Sequence, residues 1–221
     1  MPRAPRRIAF ALVLALAALL GAPAGARADD DTPERRHLRI VERGGWLLCW
    51  GSFTDVFDEE LLDELSSGFV TTIVVRTYVI AAGSNTPVAF AAATYRVVYD
   101  LWDEVYIVQV HDPAGERETR QASRAEALKE ATALRAFPVA VADAVVPGEK
   151  NEHYIAVVVE VNPVSQELLA EVHRWLARPQ GSQGPGNSFF GSFVSVFVNP
   201  PVAEADRTLR FRSQKFYRTG P

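Results

Sequence analysis

Cys49, four histidines and scattered carboxylates are the residues of this chain whose types could do chemistry. A cysteine nucleophile needs a nearby base and a setting that favours thiolate. Cys49 lies instead in the apolar run Trp46–Trp50, with no Cys-x-x-Cys partner and no cysteine-protease signature. It reads as a buried thiol that packs like a small hydrophobe. A reactive thiol or an intermolecular disulfide is the alternative. The histidines are His37, His111, His153 and His173, and none has a His-x-x-x-His metal spacing. His111-Asp112 and Glu152-His153 fall at expected strand edges. If they converge, they could form a metal site or an acid–base pair. The simpler reading is surface histidine at turns. His173 sits beside Glu171 and Arg174 on the polar face of an expected helix.

The other motifs carry less. There is no Gly-x-Ser-x-Gly elbow and no Ser-x-x-Lys with its companion motifs. The glycine-rich stretch Gly181–Gly186 lacks the lysine of a phosphate loop. The carboxylates at Asp58–Glu60 and Asp63-Glu64 lack the loop spacing of calcium ligands, so they read as the solvated face of a helix. No catalytic residue, metal ligand set or cofactor is therefore assigned.

The aromatic supply is richer. Trp46, Trp50, Trp102 and Trp175 are accompanied by Phe189, Phe190, Phe193 and Phe197. Most of these rings are expected in the core. Phe189, Phe190 and Phe193 adjoin a Pro-, Gly-, Ser- and Gln-rich loop over residues 178–191. They are the candidate partner-binding residues, with the stretch Gly181–Phe190 docking an envelope protein or an apolar ligand. The alternative places the rings inside and leaves a bare surface loop.

The elements that must position these residues are mostly strands. Residues 29–37 mix both charges and read as a flexible lead-in. Trp46–Trp50 is the first well-buried strand. Asp55 precedes a helix of about ten residues with acids in its first turn, Leu61, Leu62 and Leu65 on one face, and Gly68 as terminator. Phe69–Ala81, Val88–Tyr99 and Val105–His111 are rich in Val, Ile, Thr and Tyr and are separated by turn residues. They read as consecutive antiparallel strands. Ser123-Arg124-Ala125-Glu126 has capping-box form and opens a helix to Ala136, with Pro138 marking its boundary. His153–Val161 is a strand. Ser165 caps a third helix whose apolar stripe is Leu168, Leu169, Val172, Trp175 and Leu176. Phe193–Asn199 and Leu209–Phe216 complete the set. The order predicts an α+β fold: a largely antiparallel sheet, possibly a β-sandwich, with two or three short helices.

Location is read from residues 1–28. Arg3, Arg6 and Arg7 precede the apolar run Ile8–Leu20, and Ala26-Arg27-Ala28 is a small-x-small cleavage site before Asp29-Asp30-Asp31. That order is a secretory signal peptide. It leaves residues 29–221 as a single exported domain, periplasmic or secreted, with no transmembrane helix after signal removal. An uncleaved anchor is the alternative. The signal holds four arginines and no acid, which leaves 19 basic and 27 acidic residues and a net charge of −8. That charge repels nucleic acid and anionic lipid. One cysteine precludes a disulfide within the chain, so a core must supply the stability.

Three stretches carry a resemblance: FDEELLDELSSGFVTTIVVRTYVI, TYRVVYDLWDEVYIVQV and FFGSFVSVFVNPPVAEADRTLRFRSQKFYR. With the leader in front, they resemble the exported bacterial family called domain of unknown function 4390. The matching parts are the short helix Leu61–Gly68, the strand Phe69–Ile80 and the aromatic and charged strands of Tyr95–Val110. The long loop near Gly181–Gly191 departs from the pattern. The resemblance implies an envelope protein and brings no activity, cofactor or site residue. On these grounds the expected function is a non-enzymatic periplasmic adaptor or assembly factor that binds another protein. The rivals are a carrier or sensor of an apolar envelope ligand, and a hydrolase assembled from His111, Asp112 and His153. The sequence leaves the oligomeric state open.

Overall fold

The computed structural model describes residues 33–163, 170, 173, 174, 176, 177 and 205–219. The signal segment, the Ser165 cap, the 178–191 loop, the strand Phe193–Asn199 and the docking candidates Phe189, Phe190 and Phe193 lie outside the described residues. The fold is α+β and its sheets are largely antiparallel, as expected.

The strands are β1 (Glu34–Arg36), β2 (Arg39–Arg43), β3 (Trp46–Ser52), β4 (Thr71–Ala81), β5 (Pro87–Asp100), β6 (Val105–Asp112), β7 (Gly115–Gln121), β8 (Ala133–Val141), β9 (His153–Val161) and β10 (Arg207–Ser213). Among the described residues, two α-helices have both ends in view, α1 (Glu59–Glu64) and α2 (Arg124–Ala131). Seven strands form one sheet in the order β1-β10-β9-β4-β5-β6-β7, and β2-β3-β8 form a second. Among the described residues, only the β1–β10 pair is parallel.

Alternation along the strands sets the layers. Ile73, Val75 and Val79 of β4 share a face with Ala93 and Tyr95 of β5 and with Val157 and Val159 of β9. Phe211 of β10 extends this row, and all these side chains are buried. The smaller sheet adds Leu47, Cys49, Leu134 and Phe137 to the same core. Tyr95 joins the layers. Its ring stands edge-on to Phe53 at 6.1 Å, and its hydroxyl donates to the Ala133 carbonyl at 3.3 Å. The other face of β4 is buried too, with Val74, Tyr78 and Ile80 fully enclosed. It also holds an ion pair, Arg76 Nη2 to Glu160 Oε2 at 2.6 Å.

Four expectations need correction. Residues 34–36 are a strand rather than part of a flexible lead-in. Arg36 bonds Glu34 at 2.7 Å and Asp55 at 2.5 Å, and its guanidinium lies 4.6 Å from the Phe211 ring centre. The expected set lacked the strand Arg39–Arg43, which forms a hairpin with Trp46–Ser52, itself the first strand with buried positions, as expected. Gly44 and Gly45 occupy the two-residue turn at φ +60° and +78°, the conformation a tight hairpin requires. The first helix has six residues rather than about ten. Its cap is Asp58, which accepts from the Leu61 N–H at 3.1 Å.

The helix from Ser123 stops at Ala131, not Ala136. Ser123 does cap it, accepting from the Glu126 N–H. At its end the Thr132 hydroxyl donates to Leu128 O at 2.7 Å, and Ala136 has φ +50°. The chain then enters β8, because burying Leu134, Phe137 and Val139 against β3 outweighs alanine's helical preference. Pro138 lies inside this edge strand, beside a register shift, where it removes no needed ladder bond.

The C-terminal segment clasps both sheets. The Gln214 side chain bonds the Leu38 backbone twice, at 2.9 and 2.7 Å. Arg218 bonds both Glu42 carboxylate oxygens at 3.0 and 2.9 Å and reaches Asp143 at 3.3 Å. Hydrogen bonds from Arg218 hold the Glu42 carboxyl below its usual range against an opposing burial effect. A depressed acid contributes above its unfolded value of about 4.3 and loses that contribution as pH falls through its folded value. The clasp should therefore hold at neutral pH and loosen only in acid, as pH falls through the lowered Glu42 value. The measurement is amide exchange at Gly148, whose N–H donates to Arg218 O at 2.8 Å. Arg218→Ala should remove its protection already at neutral pH.

Candidate functional site

The sequence candidates separate in the fold. His111 and Asp112 are neighbours on β6, so their side chains leave opposite faces of the sheet. Asp112 turns inward and is buried. It accepts from Arg117 at 2.5 Å and from the Ala114 N–H at 2.8 Å. His111 faces outward, with Nδ1 3.5 Å from Glu116 Oε1.

His153 lies far from both. It is registered with Ala81, whereas the row of His111 crosses β4 at Val74 through Thr94. Seven positions along a strand span roughly 23 Å. His153 is buried, and its Nδ1–H donates to Asn151 O at 2.8 Å. Its backbone exchanges two 2.8 Å hydrogen bonds with Phe216, and the two rings lie 6.1 Å apart. Glu152 holds Lys215 at 2.6 Å. His153 and Glu152 therefore fasten the C-terminal segment, and the acid–base pairing with His111 and Asp112 does not form.

His111 meets a different histidine. The outward faces of β5, β6 and β7 form a cleft of about 430 Å³ with His173 on its wall. Thr94, Arg96, Gln109, Glu116 and Glu118 line it. Its polar groups bond one another, as in Gln109 Nε2 to Glu118 Oε2 at 3.0 Å. Among the described residues, no three His, Cys, Asp or Glu side chains group to hold a metal ion.

Cys49 is fully enclosed between the sheets, and burial pushes its thiol far above its ordinary range. At neutral pH it should therefore react with a thiol reagent only as fast as the fold opens, and rapidly in denaturant. Fast labelling of the folded chain would contradict its placement.

The aromatic expectation divides sharply at Trp102. Trp46 and Trp50 are half-buried on the outer side of the smaller sheet, and Arg39 lies 4.9 Å above the Trp50 ring. Trp102 is not in the core at all, because 96% of its surface is exposed. It stands on the turn between β5 and β6. Leu101, exposed by 62%, precedes it, and Phe69, exposed by 80%, and Val70 lie just before β4 at the same end of the sheet. Singly exposed apolar residues are ordinary, but four large ones at one end of a sheet are not.

The surrounding residues hold this tip in shape. Asp100 Oδ1 accepts from the N–H groups of Trp102 at 2.9 Å and Asp103 at 3.2 Å, which fixes the turn. These bonds keep the Asp100 carboxyl below its usual range. Asp103 reaches Arg120 of β7 at 3.3 Å. Behind the tip, Tyr99 and Tyr106 pair at 4.7 Å, and the Tyr106 hydroxyl bonds Ser66 at 2.8 Å. Gly68 completes the base. It has φ +86°, and a Cβ there would lie 3.1 Å from Leu101 Cδ1 and 3.7 Å from Tyr99 O.

Gly68→Ala combines left-handed strain with this crowding. It should cost about 1–2 kcal/mol and displace Leu101, read by urea unfolding and by the Leu101 methyl shifts. Unchanged stability and shifts would show that Gly68 does not support the tip.

Comparison with family models, with curated proteins and with solved structures found no match for this chain. The site is therefore read from its own geometry.

Proposed function

We propose that this chain is an exported, non-enzymatic envelope protein that binds another protein, as an adaptor or assembly factor, through the tip formed by Phe69, Val70, Leu101 and Trp102. The observation that carries the reading is the exposed Trp102 on a turn already fixed by Asp100. A large ring held in place loses little conformational freedom on docking, so burying it on a partner is favourable. The edges of the sheets favour the tip over strand addition. β7 is Gly-Glu-Arg-Glu-Thr-Arg-Gln, β1 has three residues, β2 is the short charged run Arg-Ile-Val-Glu-Arg, and β8 carries a proline and register shifts. These are the devices that keep strand edges from pairing.

The charged and polar side chains around this cleft do not favour an apolar ligand there, and the separation of His111 from His153 removes that constellation from the hydrolase reading. Among the described residues no helix is long and apolar enough to cross a membrane. The leader and the resemblance to domain of unknown function 4390 favour the envelope as the place of work. Intact mass of the exported product should match a chain beginning at Asp29, whereas a full-length membrane-retained chain would overturn export.

The function is tested by co-purification from the native envelope. The wild-type chain should retain a stoichiometric protein partner. A Phe69→Ser/Leu101→Ser variant of unchanged melting temperature should lose it. Equal recovery by both proteins would place the binding surface elsewhere.

A further inference from the structure

Resting on the docking reading, the charges around the tip specify its partner: we propose that Trp102 inserts into an apolar pocket on another protein whose rim carries arginine or lysine. The turn reads Asp100-Leu101-Trp102-Asp103-Glu104, so acids stand on both sides of the apolar pair. The Asp103 side chain keeps 63% of its surface exposed despite its contact with Arg120. Glu104 beside it is exposed too. Exposed acids thus directly follow the apolar pair, and a complementary surface places cations opposite them.

The same acids disfavour the other occupants. Insertion into a lipid surface deep enough to cover the indole would drag Asp103 and Glu104 into the interface, and an anionic membrane repels them on approach. A second copy of this chain would set acids against acids, since like charges across an interface oppose association. A basic-rimmed protein pocket satisfies both the rings and the carboxylates.

The test places a photoreactive benzoylphenylalanine at Phe69 of the full chain, expressed in its native envelope. The measurement is the yield of covalent adduct with another protein. Asp103→Lys/Glu104→Lys should lower that yield at least about tenfold. Raising salt from about 50 mM to about 500 mM in isolated envelopes should lower it too. Equal melting temperatures of wild type and variant would show that the loss is not unfolding.

An adduct that depends on Trp102 but ignores both charge reversal and salt would overturn the basic rim and leave docking intact. An adduct indifferent to Trp102→Ala would overturn docking itself. Self-adducts of twice the chain mass would replace the partner with a second copy. In parallel, the purified chain is sedimented with phosphatidylcholine–phosphatidylglycerol vesicles. It should stay in the supernatant, and Trp102-dependent sedimentation would replace the protein pocket with a membrane.

Discussion

Replacing Glu160 by alanine should destabilise the chain by about 3–5 kcal/mol. Arg76 and Glu160 face each other across β4 and β9 at 2.6 Å, and both are buried on the sheet face that also encloses Val74 and Tyr78. Removing the carboxylate leaves a guanidinium in a setting with little water. Its solvation loss is then no longer offset by the Glu160 carboxylate. Domains of this size are stable by only about 5–15 kcal/mol, so the variant should sit near the edge of folding. Urea unfolding measures it. The paired replacement Arg76→Met/Glu160→Leu should recover most of the loss, because neither charge then needs solvation. A Glu160→Ala cost below about 1 kcal/mol would mean that water reaches this face of the sheet.

The same pair shows where a sequence becomes opaque. β4 and β5 are legible because their Val, Ile, Thr and Tyr residues run for more than ten positions between turn signals. Arg76 reads as an interruption of that run. Only the register of β4 with β9 reveals that it meets Glu160 from a strand far along the chain. β7 was invisible for the opposite reason. Its residues are polar on both faces because it is an edge, so period-two alternation of apolar residues never appears. Asp112–Gly115 still marked a turn that could have pointed to a hairpin. Gly44-Gly45 was a plainer signal for β2, the two-residue turn between strands. The overlong second helix came from reading Ala and Leu residues locally, when Leu134 and Phe137 were required by a sheet contact.

The site was the least legible part. Most of the aromatic rings were expected in the core, since aromatic residues are usually buried. The sign against that was local: a tryptophan between Asp100 and Asp103-Glu104 sits in a turn, and turns lie at the surface. The convergence of His111, Asp112 and His153 was undecidable from spacing. It depended on how far apart β6 and β9 cross β4, and on which face each side chain takes.

Trp102→Ala should separate binding from stability more completely than any other single change. Nearly all of its ring is in water, and its removal opens no cavity. The variant should melt like the wild type, within about 0.5 kcal/mol of its stability. Binding should respond very differently. An aromatic ring buried on docking removes roughly 150–250 Å² from water, about 4–6 kcal/mol at 25 cal/mol/Å² before the costs of association are subtracted. Measured losses for central tryptophans begin near 2 kcal/mol, so partner affinity should fall at least about 30-fold. Phe211→Ala is the control with the opposite pattern. That ring is fully buried beside β9, and its loss should cost about 3–5 kcal/mol of stability. Any weakening of binding by Phe211→Ala should vanish under conditions where the variant is fully folded, because Phe211 touches no part of the tip. Calorimetric titration of each variant against the partner recovered from the envelope, alongside its urea midpoint, reads both quantities. A Trp102→Ala protein that binds with wild-type affinity would remove the tip from the interface. One that unfolds would return Trp102 to the core.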